Sequence, residues 1–443
     1  MKPVHTSEFP YDAGKITDDI KPKIVRSFLK DAFDSITRGG AGYHVWMGTL
    51  TFVMLTGAFA YSIQLNEGLS VTGMNDRVSW GFYISNFTFL VGVAAAAVML
   101  VLPTYILKDV DFSKAVLIGE GLAVAALFMC LAFVTVDMGG PARVWHLIPG
   151  IGLFNWPSSM LTWDVLVLNG YLFLNLTIPF YILVCHYQGK HPNARIYVPG
   201  VIISVFWAFC IHLVTAFLYA GLPARPFWNS SLLGPRFLAS AFSAGPALII
   251  IVLSVIRRFT DYKVENVTIG KIALIVTVAA QINLVMLGSE LFKEFYAPTH
   301  HSESAVYLFF GLHGFGGLRP WIWTAIMMNL FATGILTLNP LRNNHKWLLP
   351  ACAILFISIW IEKGMGLIIP GFIPGPWGKI VEYTPTWIEI CVSLGIWAMG
   401  MFIFTLLVKI AIPIETGKLR YVTETVSSGE KTTTNMPAST NLV

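Results

Sequence analysis

Ten long apolar stretches separated by polar joints dominate the chain, at about 43–66, 80–107, 113–136, 163–186, 196–220, 233–257, 270–296, 320–338, 347–369 and 385–412. Each reaches the roughly 20 residues that a helix needs to cross the hydrocarbon of a bilayer. A shorter, glycine-rich apolar run at 305–318 falls below that length and is predicted as a re-entrant or surface piece. Ahead of the first span, Ile24, Val25, Phe28, Leu29, Ala32, Phe33 and Ile36 recur at helical spacing with Lys23, Arg26 and Lys30 between them. Pro22 suits a first turn and Gly39-Gly40 a stop, so 22–38 reads as an amphipathic helix that lies on the membrane surface or packs on a partner. From about 416 the residues are mostly Ser, Thr, Glu and Asn, which predicts a disordered tail. The chain is thus expected to divide into an N-terminal segment 1–42, a ten-span domain 43–412 and a tail 413–443.

Composition supports an all-α, polytopic integral membrane protein. Charged residues make up 12% of the chain and apolar ones 55%, whereas a soluble domain carries about 25% charged residues. Residues 1–42 lack the short apolar region and small-residue cleavage site of a secretory signal, so the first span is expected to direct insertion. The five cysteines all fall in apolar stretches and form no C-x-x-C, so neither an iron-sulfur cluster nor a covalently attached haem is expected in this chain. No nucleic-acid signature accompanies the net charge of +5. Most Lys and Arg lie in the N-terminus, in the joints after even-numbered spans and in the C-terminus. That bias predicts cytoplasmic termini and an outer face bearing the longer loops.

One of those loops concentrates chemistry. Asp137-Met-Gly-Gly-Pro-Ala-Arg143-Val-Trp145-His146 is followed by Thr162-Trp163-Asp164 at the start of span four. A histidine can donate to a carbonyl oxygen that is being reduced, and a carboxylate can orient it and take a proton. His146 and Asp164 are therefore the expected catalytic pair for quinone chemistry, with Thr162 a candidate N-cap and Arg143 a candidate partner for Asp137. Embedded acids supply a candidate proton path through Asp137, Glu120, Glu290 and Glu294, and the spacing of Glu290 and Lys293 permits an ion pair. His44 and His186, at the same ends of spans one and four, are the one pair suited to a b-type haem, and His212 stands alone. Arg225-Pro-Phe-Trp228 and His313-Gly-Phe-Gly-Gly-Leu-Arg319-Pro-Trp321 set cations beside aromatics.

Tyr43-His44-Val-Trp46, Trp80-Gly-Phe-Tyr83-Ile-Ser-Asn86-Phe-Thr-Phe, the Asp137–His146 run, Trp163-Asp164, Arg225-Pro-Phe-Trp228 and Gly288-Ser-Glu290-Leu-Phe together carry a resemblance. Over about 43–412 the chain resembles the ten-span branch of the NrfD/polysulfide-reductase membrane-subunit family, and is similar to members that serve dissimilatory sulfur metabolism. The resemblance implies two four-helix bundles, spans two to five and six to nine, with flanking helices. It implies a quinone site near the outer face, with menaquinone the expected quinone, at which His146 and Asp164 match the family's histidine and aspartate. Arg143, Trp145, Tyr83, Arg225 and Trp228 are expected to line that site. The implied partners are an extracytoplasmic ferredoxin-like iron-sulfur subunit, further membrane, cytochrome and cytoplasmic subunits, and lipid. A proton-conducting or transporter subunit and a b-haem membrane anchor are the rival readings.

Overall fold

The computed structural model describes residues 16–17, 20–106, 109–296, 298–299, 302–375 and 377–421. Ten helices are long and apolar enough to span a membrane, and they coincide with the ten apolar stretches to within a few residues. Backbone groups in hydrocarbon must be satisfied within their own segment, which is why such stretches become helices. In chain order the helices are α1 (Pro22–Thr37), α2 (Ala41–Glu67), α3 (Phe82–Ala95), α4 (Val98–Val101), α5 (Val110–Asp137), α6 (Met160–Tyr187), α7 (Ala194–Ala220), α8 (Leu233–Phe259) and α9 (Asn266–Tyr296). There follow α10 (Glu303–Phe309), α11 (Arg319–Thr337), α12 (Asn339–Arg342), α13 (His345–Lys363), α14 (Met365–Ile368) and α15 (Trp387–Glu415). A two-residue parallel pairing of Ile16–Thr17 (β1) with His191–Pro192 (β2) is added beyond the end of α6.

The contacts close two rings. α3 packs on α5, α5 on α6, α6 on α7 and α7 on α3, while α8, α9, α11 and α13 form the second ring in the same way. These are the two four-helix bundles, spans two to five and six to nine, and α8 seats against α3 and α7 at their seam. α2 and α15 flank them, packed along each other with α15 against α5. Small residues set that approach: a Cβ on Gly57 would lie 2.7 Å from the Gly395 Cα, so the two backbones touch. Buried amides and indoles tie the layers further. Asn86 Oδ1 on α3 accepts from the indoles of Trp360 on α13 and Trp397 on α15, each at 3.0 Å.

The amphipathic helix α1 buries Phe28 and Ala32 and leaves Leu29 and Phe33 exposed. Phe28 meets Phe180 and Tyr187 of α6 edge-on, and the Tyr187 hydroxyl donates to Asp31 at 2.5 Å. The run at 305–318 forms α10 and then a tight turn in which His313 takes φ 50° and Leu312 bridges Phe315. Glu382 Oε1 pins that turn by accepting from the Gly316 and Gly317 amides at 2.8 and 2.7 Å. Span nine, predicted as continuous, breaks at Gly364 and resumes as α14 and a 3-10 turn, Ile369–Phe372. A Cβ at Gly364 would meet the Trp360 carbonyl at 2.6 Å, so the break requires glycine. Of the expected tail, Thr416–Tyr421 folds back so that the Tyr421 amide donates to the Tyr187 carbonyl at 2.8 Å. The rest of it, 422–443, lies outside the described residues, as do 1–15 of the N-terminal segment.

Candidate functional site at the loop-rich end of the first bundle

The joint between α5 and α6 builds the candidate site. Ser159 is the N-cap of α6 and makes no side-chain cap bond, so Thr162, the expected cap, sits inside the first turn and donates instead to the Ser159 carbonyl at 2.7 Å. Asp164 therefore lies deeper than the sequence suggested, one turn into α6 and only 1% exposed. Its Oδ1 accepts a 2.8 Å hydrogen bond from the hydroxyl of Thr215, itself fully buried on α7. Among the described residues no cation pairs with it. A carboxylate held by a neutral donor inside an apolar bundle is costly to keep charged, which suits a group that exchanges protons.

His146 ends the 3-10 turn Pro141–Leu147 and is half-buried. Its Nδ1 lies 3.2 Å from the Leu153 amide, which can only donate, so in the neutral ring the proton sits on Nε2. The ring stacks on Trp145 at 3.8 Å. Gly152 closes the loop over it, since a Cβ there would collide with the His146 backbone. His146 and Asp164 thus flank one joint, but no hydrogen bond, ion pair or ring contact joins them among the described residues.

The expected Arg143–Asp137 pair does not form. Arg143 is exposed, whereas the Asp137 Oδ1 is buried, without a hydrogen-bond partner among the described residues, and within electrostatic reach of Glu389. The reason is direction: Asp137 ends α5 on its inner face, while the 3-10 turn carries Arg143 outward. Glu389, fully buried at the start of α15, accepts from the Tyr383 hydroxyl at 2.5 Å and the Gly73 amide at 2.7 Å, and closes a capping box with Thr386. Burial, and then the charge of Glu389, hold the Tyr383 phenol well above its ordinary range. Tyr83 is equally committed, donating to Gln64 Oε1 at 2.7 Å while the Gln64 amide reaches the Val136 carbonyl at 2.7 Å.

Arg225 and Trp228 turn inward as well. The Trp228 ring is fully buried, donates to the Leu367 carbonyl at 2.8 Å, and lies against Trp80, Tyr219 and Phe372. Arg225 stands 4.8 Å over the Phe372 ring. These contacts fasten the loop after α7 to the broken end of span nine.

In the second bundle, Glu290 pairs with Arg236 of α8 and not with Lys293, which lies 3.4 Å from Glu294. Helical phase decides this, because Glu290 faces the ring interior and Lys293 is exposed. Arg236 also donates to Glu362 of α13 at 2.6 Å, and the Asn329 amide on α11 reaches Glu362 at 3.4 Å. The cluster therefore draws one member from every helix of the ring. Glu120 is 4% exposed on α5 with its Oε2 unpartnered among the described residues. Of the haem candidates, His44 is exposed on α2, and His186 bonds Glu415 through Nδ1 at 2.6 Å. Among the described residues, no three His, Cys, Asp or Glu side chains gather as a metal site would need.

Residues 70–374, which take in spans two to nine and therefore both bundles, match the family described as polysulphide reductase, NrfD. The chain belongs to the NrfD family. It is similar to an Hdr-like menaquinol oxidoreductase integral membrane subunit of Archaeoglobus fulgidus, 24% identical over 392 residues that cover 85% of this chain and 95% of that one. It is also similar to the integral membrane subunit of a menaquinone reductase of Nitratidesulfovibrio vulgaris, 25% identical over 396 residues covering 82% and 90%. A third relative belongs to the selenate reductase of Mesobacillus selenatarsenatis and is 22% identical over 415 residues covering 83% and 93%.

For this NrfD chain, pattern reading missed Arg236, Asn329, Glu362, Lys363, Gln64 and Glu389. A signal existed for four of them. Arg236, Glu362, Lys363 and Glu389 are charges within the predicted apolar spans, and near a span end they pass for loop residues. Asn329 and Gln64 become informative only once the helices that face them are known.

Proposed function

We propose that this NrfD protein is the quinone-reactive membrane subunit of a multisubunit respiratory oxidoreductase, exchanging electrons between a menaquinone pool and an extracytoplasmic iron-sulfur subunit. The observation that carries the reading is the buried Asp164 carboxylate, held by one neutral hydroxyl beside a loop whose histidine presents an Nε2 proton. Quinone reduction takes two electrons and two protons at carbonyl oxygens. His146 Nε2–H would donate to one carbonyl and fix the ring's orientation, while Asp164 would hand over or collect a proton. Trp145 and Arg143, exposed on the same turn, would bracket the ring's approach. Arg225, Trp228 and Tyr83 would act from behind by holding the surrounding loops and helices in place.

The names of the relatives support menaquinone as substrate and a complex as setting. The motif resemblance supports the DsrP (HmeB-like) subunit of a DsrMKJOP-type complex in dissimilatory sulfur metabolism, with membrane, cytochrome and cytoplasmic partners. In that reading both termini are cytoplasmic, and the exposed indoles Trp145, Trp156 and Trp377 belong to the face that meets the iron-sulfur subunit. A proton-conducting role has its own support in the buried Arg236–Glu290–Glu362 cluster, and would make Glu120, Asp137 and Glu294 its side branches.

The test is a fluorescence titration of the purified chain with a quinol analogue, for the native protein, His146→Ala and Asp164→Asn. Each variant is expected to weaken binding by about tenfold or more with helicity intact. Unchanged affinity in both, in folded protein, removes the site. Proton flux through the chain alone in vesicles, without any redox partner, would favour the proton-conducting role.

A further inference from the structure

A cavity of about 10 Å³ lies in the seam between the two bundles, and its polar lining is Thr88 on α3, His212 on α7, Ser240 on α8 and Lys363 on α13. That volume is about one water-sized sphere. His212 is fully buried, and its Nδ1 lies 3.0 Å from the Ala208 carbonyl, which can only accept. The Nδ1 therefore carries the proton, and Nε2 of the neutral ring presents a lone pair. No group among the described residues donates to it. Lys363 is 4% exposed, with its Nζ 4.5 Å over the Phe237 ring and no hydrogen-bond acceptor among the described residues. A buried acceptor and a buried donor thus share a space too small for anything but water, and each left unsatisfied would cost a large desolvation penalty.

We propose that this cavity binds one water that accepts a hydrogen bond from Lys363 and donates one to His212 Nε2, making the seam a proton-exchange point between the bundles. The water's second proton has an acceptor in Ser240, whose hydroxyl already donates to the Phe237 carbonyl at 2.9 Å and keeps its lone pairs. Three partners are what a buried water typically makes. When the ammonium passes a proton to the water as the water passes one to Nε2, the products are a neutral amine, an imidazolium and the same water. One positive charge then moves from α13, next to Glu362 and its partner Arg236, to α7, three residues from the Thr215 that holds Asp164. The seam rests on two nitrogens and a cavity, and stands or falls independently of quinone binding.

The test uses the full chain in lipid nanodiscs, imaged by electron cryo-microscopy with a bound antibody fragment as fiducial. The expected map has one isolated peak within about 3.5 Å of both nitrogens. A map that defines both side chains with nothing between them overturns the proposal. Nuclear magnetic resonance of the chain labelled with ¹⁵N-histidine gives a second readout: water-proton magnetisation reaches an Nε2 that His212→Phe identifies by its loss. Lys363→Met, which keeps the stem and removes the donor, is expected to cut that transfer by about tenfold or more. Full transfer in folded Lys363→Met, or none in the native chain, overturns the proposal.

Discussion

The Thr215 hydroxyl on α7 donates to Asp164 Oδ1 on α6 at 2.8 Å, and both residues are buried. The bond crosses the seam between neighbouring helices at the level where the loops begin, and it fixes how the carboxylate is presented. Thr215→Val keeps the shape and removes the donor. It is expected to lower unfolding stability by about 1–3 kcal/mol, the cost of leaving a buried acceptor unsatisfied. Asp164→Asn keeps an acceptor at the same place and should cost less. Denaturant or thermal unfolding in detergent checks the order, and a more stable Thr215→Val would show that the bond does not hold the carboxylate.

Arg236, Glu290 and Glu362 form a three-helix ionic cluster inside the second bundle. Arg236→Met leaves two carboxylates buried without their cation and is expected to cost about 3–5 kcal/mol. Adding Glu290→Gln and Glu362→Gln to it should recover much of that loss, since the uncompensated charges disappear. A series of single, double and triple variants followed by thermal unfolding measures the coupling, and strictly additive effects would contradict it.

Two glycines should respond in opposite directions. A Cβ at Gly371 would collide with the Trp228 indole, whereas one at Gly288, inside α9, meets nothing within 4 Å. Gly371→Ala is expected to destabilise by about 1–3 kcal/mol and to alter tryptophan fluorescence. Gly288→Ala should be neutral or stabilise by up to about 1 kcal/mol, because alanine gives up less freedom in a helix.

Near the start of α9, Lys271 lies 2.6 Å from Asp109 and holds its carboxyl below the usual value of 3.8. A depressed native value contributes stability above pH 3.8 that is lost as pH falls through the still lower native value. Both side chains are partly exposed, so the contribution is small and salt weakens it. Acid titration of stability in low salt should show the step in the native chain and not in Asp109→Asn.

The fold was legible because each span carries its own evidence: about 20 apolar residues in a row decide helix and crossing without reference to any other part of the chain. The pairing of spans into rings came from motif resemblance and not from hydropathy. Candidate residues were legible where a polar group stands out against apolar neighbours, as Asp164 and Glu290 do. Their partners were not, because Glu290 has Lys293 three residues away in sequence yet meets Arg236 across the bundle. Likewise Asp137 lies six residues before Arg143 but comes within electrostatic reach of Glu389, which enters from the last span.

Sequence alone determined the all-helical class, the number of crossings and the family. Those depend on composition within windows of some 20 residues, where burial in lipid and local hydrogen bonding act on each segment separately. Tertiary structure alone decided which charges meet, the depth of Asp164, the tautomers of His146 and His212, and the break at Gly364. Such features depend on rotation and register between helices distant in sequence, set by close packing over the whole assembly of spans.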